Sequence, residues 1–298
     1  MKNYQAFYPH ATIIVGGAMW GLYWWPIRAL DNLGLHGIWS VVFLNIMPFI
    51  MAVCFFMIKF NGIKMANAMP ALFIGFALGV SMFAYATAFL YTDVLRVVLF
   101  FYLTPVWSTI LGIVFLHETL STQRVIAIFV GFFGLALILY EGESFGFSLN
   151  IGDILGLLAG FLWSVGSVLL KKLKDVPTKL SVLSVSFFVL LVGIIAGIFI
   201  EPLPNIQMND PYFLKAGMIA FFTSTLLILP SMVAIFWAFK FVSPGTGGVL
   251  MMSEVVVAAI SAVILLPNES LLWYQQIGGA FILFATIIEI RSSLYSNE

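Results

Sequence analysis

Charge is what this chain has least of. Lys and Arg number 13, Asp and Glu number 13, and together they make 9% of 298 residues, against roughly a quarter in ordinary soluble chains. So few charged side chains cannot wet the surface of a soluble domain of this length. The formal net charge is zero. That removes the basic excess needed to neutralise phosphates and excludes a nucleic-acid binder. A single cysteine, Cys54, excludes a disulfide framework and a thiolate metal cluster. Inside its apolar run it reads as a small buried residue. The histidines His10, His36 and His117 read as loop or span-end residues without metal-ligand spacing. No glycine-rich loop ends in Lys-Ser or Lys-Thr, so ATP is not the expected energy source. The sequence asks for no cofactor, no metal and no catalytic set.

What is abundant is apolar. Hydrophobic residues make 62% of the chain and the mean hydropathy is +1.09. The fold class expected is an all-α integral membrane protein. Ten runs are long enough to cross a bilayer: about 11–29, 37–58, 70–91, 95–116, 123–140, 152–170, 180–200, 214–239, 245–266 and 271–290. A membrane β-barrel would show shorter segments of alternating character. The first run ends in Trp24-Trp25-Pro26 and Arg28 rather than a small-residue cleavage site, so it reads as a retained helix and not a signal peptide. Pro70 and Pro244 are expected at helix starts. Pro48, Pro105 and Pro230 lie inside runs, where freed carbonyls often line a cavity. Loop Lys and Arg divide ten against three in favour of the side carrying the termini, which predicts cytoplasmic termini.

The two halves resemble each other. At an offset of 143, Gly17, Trp20, Arg28 and Leu30 fall on Gly160, Trp163, Lys171 and Leu173. At 150, Ala88-Phe89 falls on Ala238-Phe239 and Thr104 on Glu254; at 151, Glu118, Leu120, Ile126 and Phe133 fall on Glu269, Leu271, Ile277 and Phe284. Five spans per copy is an odd number, so the second copy enters the membrane from the opposite side. The expectation is two inverted five-helix repeats, residues 1–145 and 146–298. Such pairs hold substrate near the midplane between the copies.

Against that frame, Gly17-Ala18-Met19-Trp20-Gly21 ending in Arg28 resembles the first helix of the EamA type of the drug/metabolite transporter superfamily. Tyr102-Leu103-Thr104-Pro105-Val106-Trp107, His117-Glu118-Thr119-Leu120, Gly131 and Gly134 resemble its fourth and fifth helices. Ser253-Glu254-Val255, Asn268-Glu269-Ser270 and Gly278-Gly279 resemble its ninth and tenth. Ala127 stands where the first copy would usually carry glycine. The resemblance implies a secondary transporter of the bacterial inner membrane, similar to exporters of amino acids, aromatic ones among them, and other small metabolites.

Glu254 is the leading site candidate. It lies about nine residues into its run, and a carboxylate at mid-depth costs roughly 2.5–3.5 kcal/mol on insertion scales, so it faces the bundle or water. It reads as a proton-coupling group, a partner for a substrate ammonium, or a structural carboxylate. Asp93 and Arg96, three residues apart and so on one helical face, read as an end-of-helix ion pair or as gating residues, with Asp93 a second coupling candidate and Arg96 a clamp for a substrate carboxylate. Trp20 and Trp163, equivalent in the two copies, and Tyr85, Tyr102 and Thr104 complete the expected substrate-binding set. Phenol and indole rings beside one carboxylate suit an aromatic or cationic solute. Tyr23, Trp24 and Trp25 read as an interfacial belt, Glu118 and Glu269 as partners for helix N-termini, and Gly131, Gly134, Gly278 and Gly279 as close helix contacts.

The expected partners are a small-molecule substrate, the lipid bilayer and protons, and no nucleic acid. The runner-up substrate class is a quaternary ammonium or aromatic cation. A membrane-embedded enzyme or a scaffold without transport is the remaining alternative, and neither explains a carboxylate at mid-depth.

Overall fold

The structure is a computed structural model, and it describes residues 2–58, 65–92, 94–138, 140, 149–202, 211–265 and 272–295. All regular structure among them is helical. In the first half, α1 (Lys2–Trp20) and α2 (Trp24–Asp31) form one broken span, followed by α3 (Ile38–Ile58) and α4 (Met65–Ala88). The fourth span is again broken, into α5 (Val94–Phe101) and α6 (Thr104–Leu116), and α7 (Thr122–Ile138) closes the copy. The second half runs α8 (Ile151–Lys172), α9 (Thr178–Ile200), then α10 (Pro211–Thr223), a π-helical turn (Ser224–Ile228) and α11 (Leu229–Ala238) as one span. Its fourth span is α12 (Pro244–Met251) with α13 (Ser253–Leu265), and α14 (Trp273–Tyr295) is the last. Eight spans are long and apolar enough to cross a membrane, and Thr122–Ile138 is a shorter apolar helix. With the broken first span these make ten.

The repeats are visible in single contacts. After α4, Tyr91 and Thr92 both donate their N–H to Ala88 O; after α11, Phe241 and Val242 both donate theirs to Ala238 O. The fourth-span breaks also correspond, at Tyr102-Leu103 and at Met252. Packing swaps with the same operation. A Cβ on Gly160 of α8 would stand 2.5 Å from Phe101 O, and one on Gly17 of α1 would stand 3.3 Å from Met251 O. Phe101 and Met251 are each the last residue before their breaks. Each copy's first helix therefore lies against the broken helix of the other copy, and only an absent side chain lets the backbones approach that closely.

The fifth helices meet across the pseudo-twofold axis. Gly134 and Gly278 face each other, a Cβ on either falling 2.5 Å from the other's carbonyl oxygen. The exchanged pair, Ala127 and Ala285, lies in one buried cluster with Val249. Ala127 thus fills the glycine's place with one methyl and is fully buried. Gly279 makes no such close approach, since a Cβ there would meet only Val256 Cγ1, at 4.0 Å.

Other expectations needed correction. α1 starts at Lys2, because a helix can run on past the apolar stretch that hydropathy detects. His10 is consequently inside α1, buried, with Nε2 2.9 Å from Ser293 Oγ. Pro70 lies inside α4 rather than at its start. Pro244 does open α12. Pro105 opens α6 after the break and Pro230 follows the π turn, whereas α3 absorbs Pro48 without interruption. Cys54 is exposed, on the outside of α3.

Substituting Gly160 or Gly134 by leucine should abolish monodisperse protein after detergent extraction, because in both places a carbonyl oxygen occupies the new side chain's position. Gly217→Leu, where nothing lies within 4 Å, should leave the elution profile unchanged.

Candidate functional site

The site is built where the fourth spans break. α13 starts at Ser253, so Glu254 lies in its first turn, where the helix dipole favours negative charge. Glu254 is buried. Tyr85, from α4, donates its hydroxyl to Oε1 at 2.9 Å, and Tyr102, at the break of the other copy, donates to Oε2 at 2.6 Å. The Tyr102 hydroxyl also lies 3.0 Å from Met251 O, the carbonyl before the second break. A phenol has one proton to give. With Glu254 ionised, both phenols donate to it. With Glu254 protonated, its own O–H can donate to Tyr102, which then donates to Met251 O. The arrangement accommodates either state without moving a heavy atom.

An aromatic layer surrounds this carboxylate. Phe101 lies 4.3 Å from Tyr85, 5.3 Å from Tyr102 and 6.3 Å from Trp163, centroid to centroid. Trp163 is buried and its indole N–H has no hydrogen-bond partner among the described residues. Trp20 stacks on Tyr23 at 5.1 Å. Gly17 in α1 and Gly21 just after it, either side of Trp20, abut the backbones of Met251 and Glu254. Among the described residues no group of three or more His, Cys, Asp or Glu could hold a metal ion.

A sequence model of the EamA-like transporter family matches residues 9–140 and 150–290. The chain belongs to the EamA-like transporter family. Both matched segments are copies of one family unit, and a transporter family rather than an enzyme family is what they identify. The solved crystal structure of another protein aligns with 94% of this EamA-like chain and 97% of its own at a TM-score of 0.72 and 17% identity. That likeness extends to the fold. No curated protein matches the sequence.

The expected site residues of this EamA-like protein fall into three groups. Glu254, Tyr85 and Tyr102 are in direct contact, and Trp163 joins them through Phe101, a ring that sequence reasoning did not single out. Thr104 and Trp20 make other contacts: the Thr104 hydroxyl donates to Phe101 O at the first break, and Trp20 packs on Tyr23. Asp93 lies outside the described residues, as does the side chain of Arg96. The belt reading fails for one of the three aromatics, Tyr23. Tyr23 is buried and Trp24 donates its indole N–H to Ser261 Oγ at 3.1 Å, leaving Trp25 on the surface. Glu269 lies outside the described residues.

Glu118 is not a helix partner. Ser121 accepts the Arg124 N–H at the start of α7, while Glu118 Oε2 lies 3.6 Å from Arg124 Nη1. Arg124, counted by sequence among the loop cations of the terminus side, is no solvated charge. It is buried, and its Nε donates to Glu289 Oε1 at 3.0 Å. Glu289 was missed, although a carboxylate near the end of an apolar run was the available signal. Burial raises the Glu118 carboxyl above its ordinary range, against the lowering by Arg124, Lys171 and Ser243, with Glu289 adding to the rise.

Two outcomes are expected. Tyr85→Phe and Tyr102→Phe each remove a hydrogen bond to a charged group, about 1.5–3 kcal/mol. In thermal denaturation both variants should unfold earlier than the parent. For Glu118 the folded value lies above the unfolded one, so the ionised form is penalised once pH exceeds the unfolded value. Glu118→Gln should therefore unfold no earlier than the parent at pH 7.5. Its advantage should shrink as pH falls through the raised value, because protonation relieves the parent of the same penalty.

Proposed function

We propose that this EamA-like transporter exports small amphiphilic metabolites, foremost amino acids with aromatic or apolar side chains, by alternating access across a bacterial inner membrane with both termini in the cytoplasm. The two inverted copies, residues 1–145 and 146–298, exchange conformations and expose the centre to each side in turn. Glu254 takes the substrate's ammonium group, and Tyr85, Phe101, Tyr102 and Trp163 face its apolar part. The observation that carries this reading is the Glu254 carboxylate held by two phenols at the meeting of both breaks. The unpartnered Trp163 N–H supports an acceptor on the substrate. The hydrogen-bond inventory supports proton exchange: a substrate cation displaces a proton from Glu254, and the returning proton displaces the substrate.

A second reading rests on the charges. The buried charged residues described are Arg124, Asp153, Glu254 and Glu289, and no described basic side chain pairs with Glu254. One carboxylate without a cation suits a monocation, which favours a quaternary ammonium or aromatic cation over a zwitterion.

Counterflow in proteoliposomes, with labelled aromatic and apolar amino acids against cationic metabolites at several pH gradients, separates these readings. Glu254→Gln should lower uptake at least about tenfold, a loss of about 1.4 kcal/mol of coupling or more, and flatten its pH dependence. Unchanged uptake with unchanged pH dependence would remove Glu254 from the mechanism.

A further inference from the structure

The face carrying the termini is recognisable from two links, His10 with Ser293 and Ser121 with Ser292, the latter at 3.0 Å. Arg124 lies on this face, and its contacts reach further than Glu289. Its Nη2 donates to Ser243 Oγ at 2.8 Å and to Thr246 Oγ1 at 2.9 Å. Thr246 in turn donates to Glu289 Oε1 at 2.6 Å. Ser243 is the N-cap of α12 and Thr246 stands in its first turn. One guanidinium therefore fastens three elements, α7, α14 and the start of α12. Close by, Lys171 Nζ donates to Phe241 O at 2.6 Å and Lys240 Nζ donates to Val176 O. The loops after α8 and α11 are thus held by the same layer.

α12 is short. From Thr246 to Met251 it advances about 8 Å, and every residue from Pro244 to Met251 is buried. Its start is in the Arg124 cluster and its end is the break that carries Met251 O and Glu254. Motion at one end must move the other. The pseudo-twofold equivalents of Arg124 and Glu289 are Gln275 and Ile138, joined by one neutral hydrogen bond from Gln275 Nε2 to Ile138 O at 3.1 Å. The two ends of the α7–α14 pair are therefore closed by different chemistry. In the cluster Glu118 Oε2 and Arg124 Nη1 meet as an ion pair at 3.6 Å, and Glu289 Oε2 has no hydrogen-bond partner among the described residues.

We infer that Arg124 is a positioning residue for transport: with Glu289, Ser243 and Thr246 it latches α12 and so bars the Glu254 site from the terminus side. The inference rests on the transport reading for its meaning. Its test does not need a known substrate. In a Cys54→Ala background, Val255→Cys puts a thiol one residue after Glu254, at a position that is buried in this structure. Its labelling by a membrane-impermeant thiosulfonate is timed separately from each side of the membrane, in oriented vesicles. Glu289→Gln weakens the central pair, and Thr246→Val removes one bridge while keeping the charges. Both should speed labelling from the terminus side, Glu289→Gln at least about tenfold as the latched population falls, without speeding it from the other side. Arg124→Lys, which keeps the charge but not the fork, should give an intermediate rate, and Arg124→Gln the full one. Unchanged rates from the terminus side would overturn the latch. Equal acceleration from both sides would overturn it too, because that marks general loosening. A counterflow panel that finds no transported amino acid or cation, with the sided labelling intact, would count against the proposed substrates and not against the latch.

Discussion

One carboxylate in an apolar interior constrains this molecule more than any other feature. Burying an unpaired charge in hydrocarbon costs several kcal/mol, so Glu254 must be met by donors, by a proton or by a cation. The protein supplies two phenols and a helix N-terminus. Tyr85 comes from the third span, Tyr102 from one fourth-span break and Glu254 from the other. Contact between them requires the two broken helices to meet, which in turn requires Gly17 and Gly160 to let the first and sixth spans press against the breaks. The glycine contacts, the breaks and the carboxylate are therefore one structural problem with one solution.

The inverted repeat distributes that solution unevenly. Thr104 occupies the place in the first copy that Glu254 has in the second, and its hydroxyl closes its own break by donating to Phe101 O. Tyr102 reaches across and serves Met251 O at the second break. The first span is interrupted at Gly21–Tyr23 while its counterpart α8 is continuous. The eighth span carries a π turn before Pro230 while α4 runs through. π turns concentrate at functional positions. The two copies thus share one architecture but differ in their breaks and in their polar groups.

Much of the fold was legible in the sequence because its signals are local. Runs of about twenty apolar residues mark spans, and the near-constant offset of about 150 marks the repeat. Glu254 was legible because a charge at mid-depth is rare. Helix starts were less so, as at Lys2 and Pro70, because hydropathy records the crossing and not the helix. Which aromatics face inward was not legible. Tyr23 and Trp25 are two residues apart in one turn, yet one is buried and the other open. The Arg124–Glu289 pair was hidden for a related reason: its members are 165 residues apart, and only antiparallel packing of α7 on α14 unites them.

The claim on which the account stands is that Glu254 changes its proton and its partner during transport. Infrared difference spectroscopy on purified protein measures this directly, as the carbonyl stretch of a protonated carboxyl group. The account predicts a band that disappears when a transported substrate binds and that is missing from Glu254→Gln. A spectrum in which neither substrate nor pH alters any band sensitive to Glu254→Gln would contradict it.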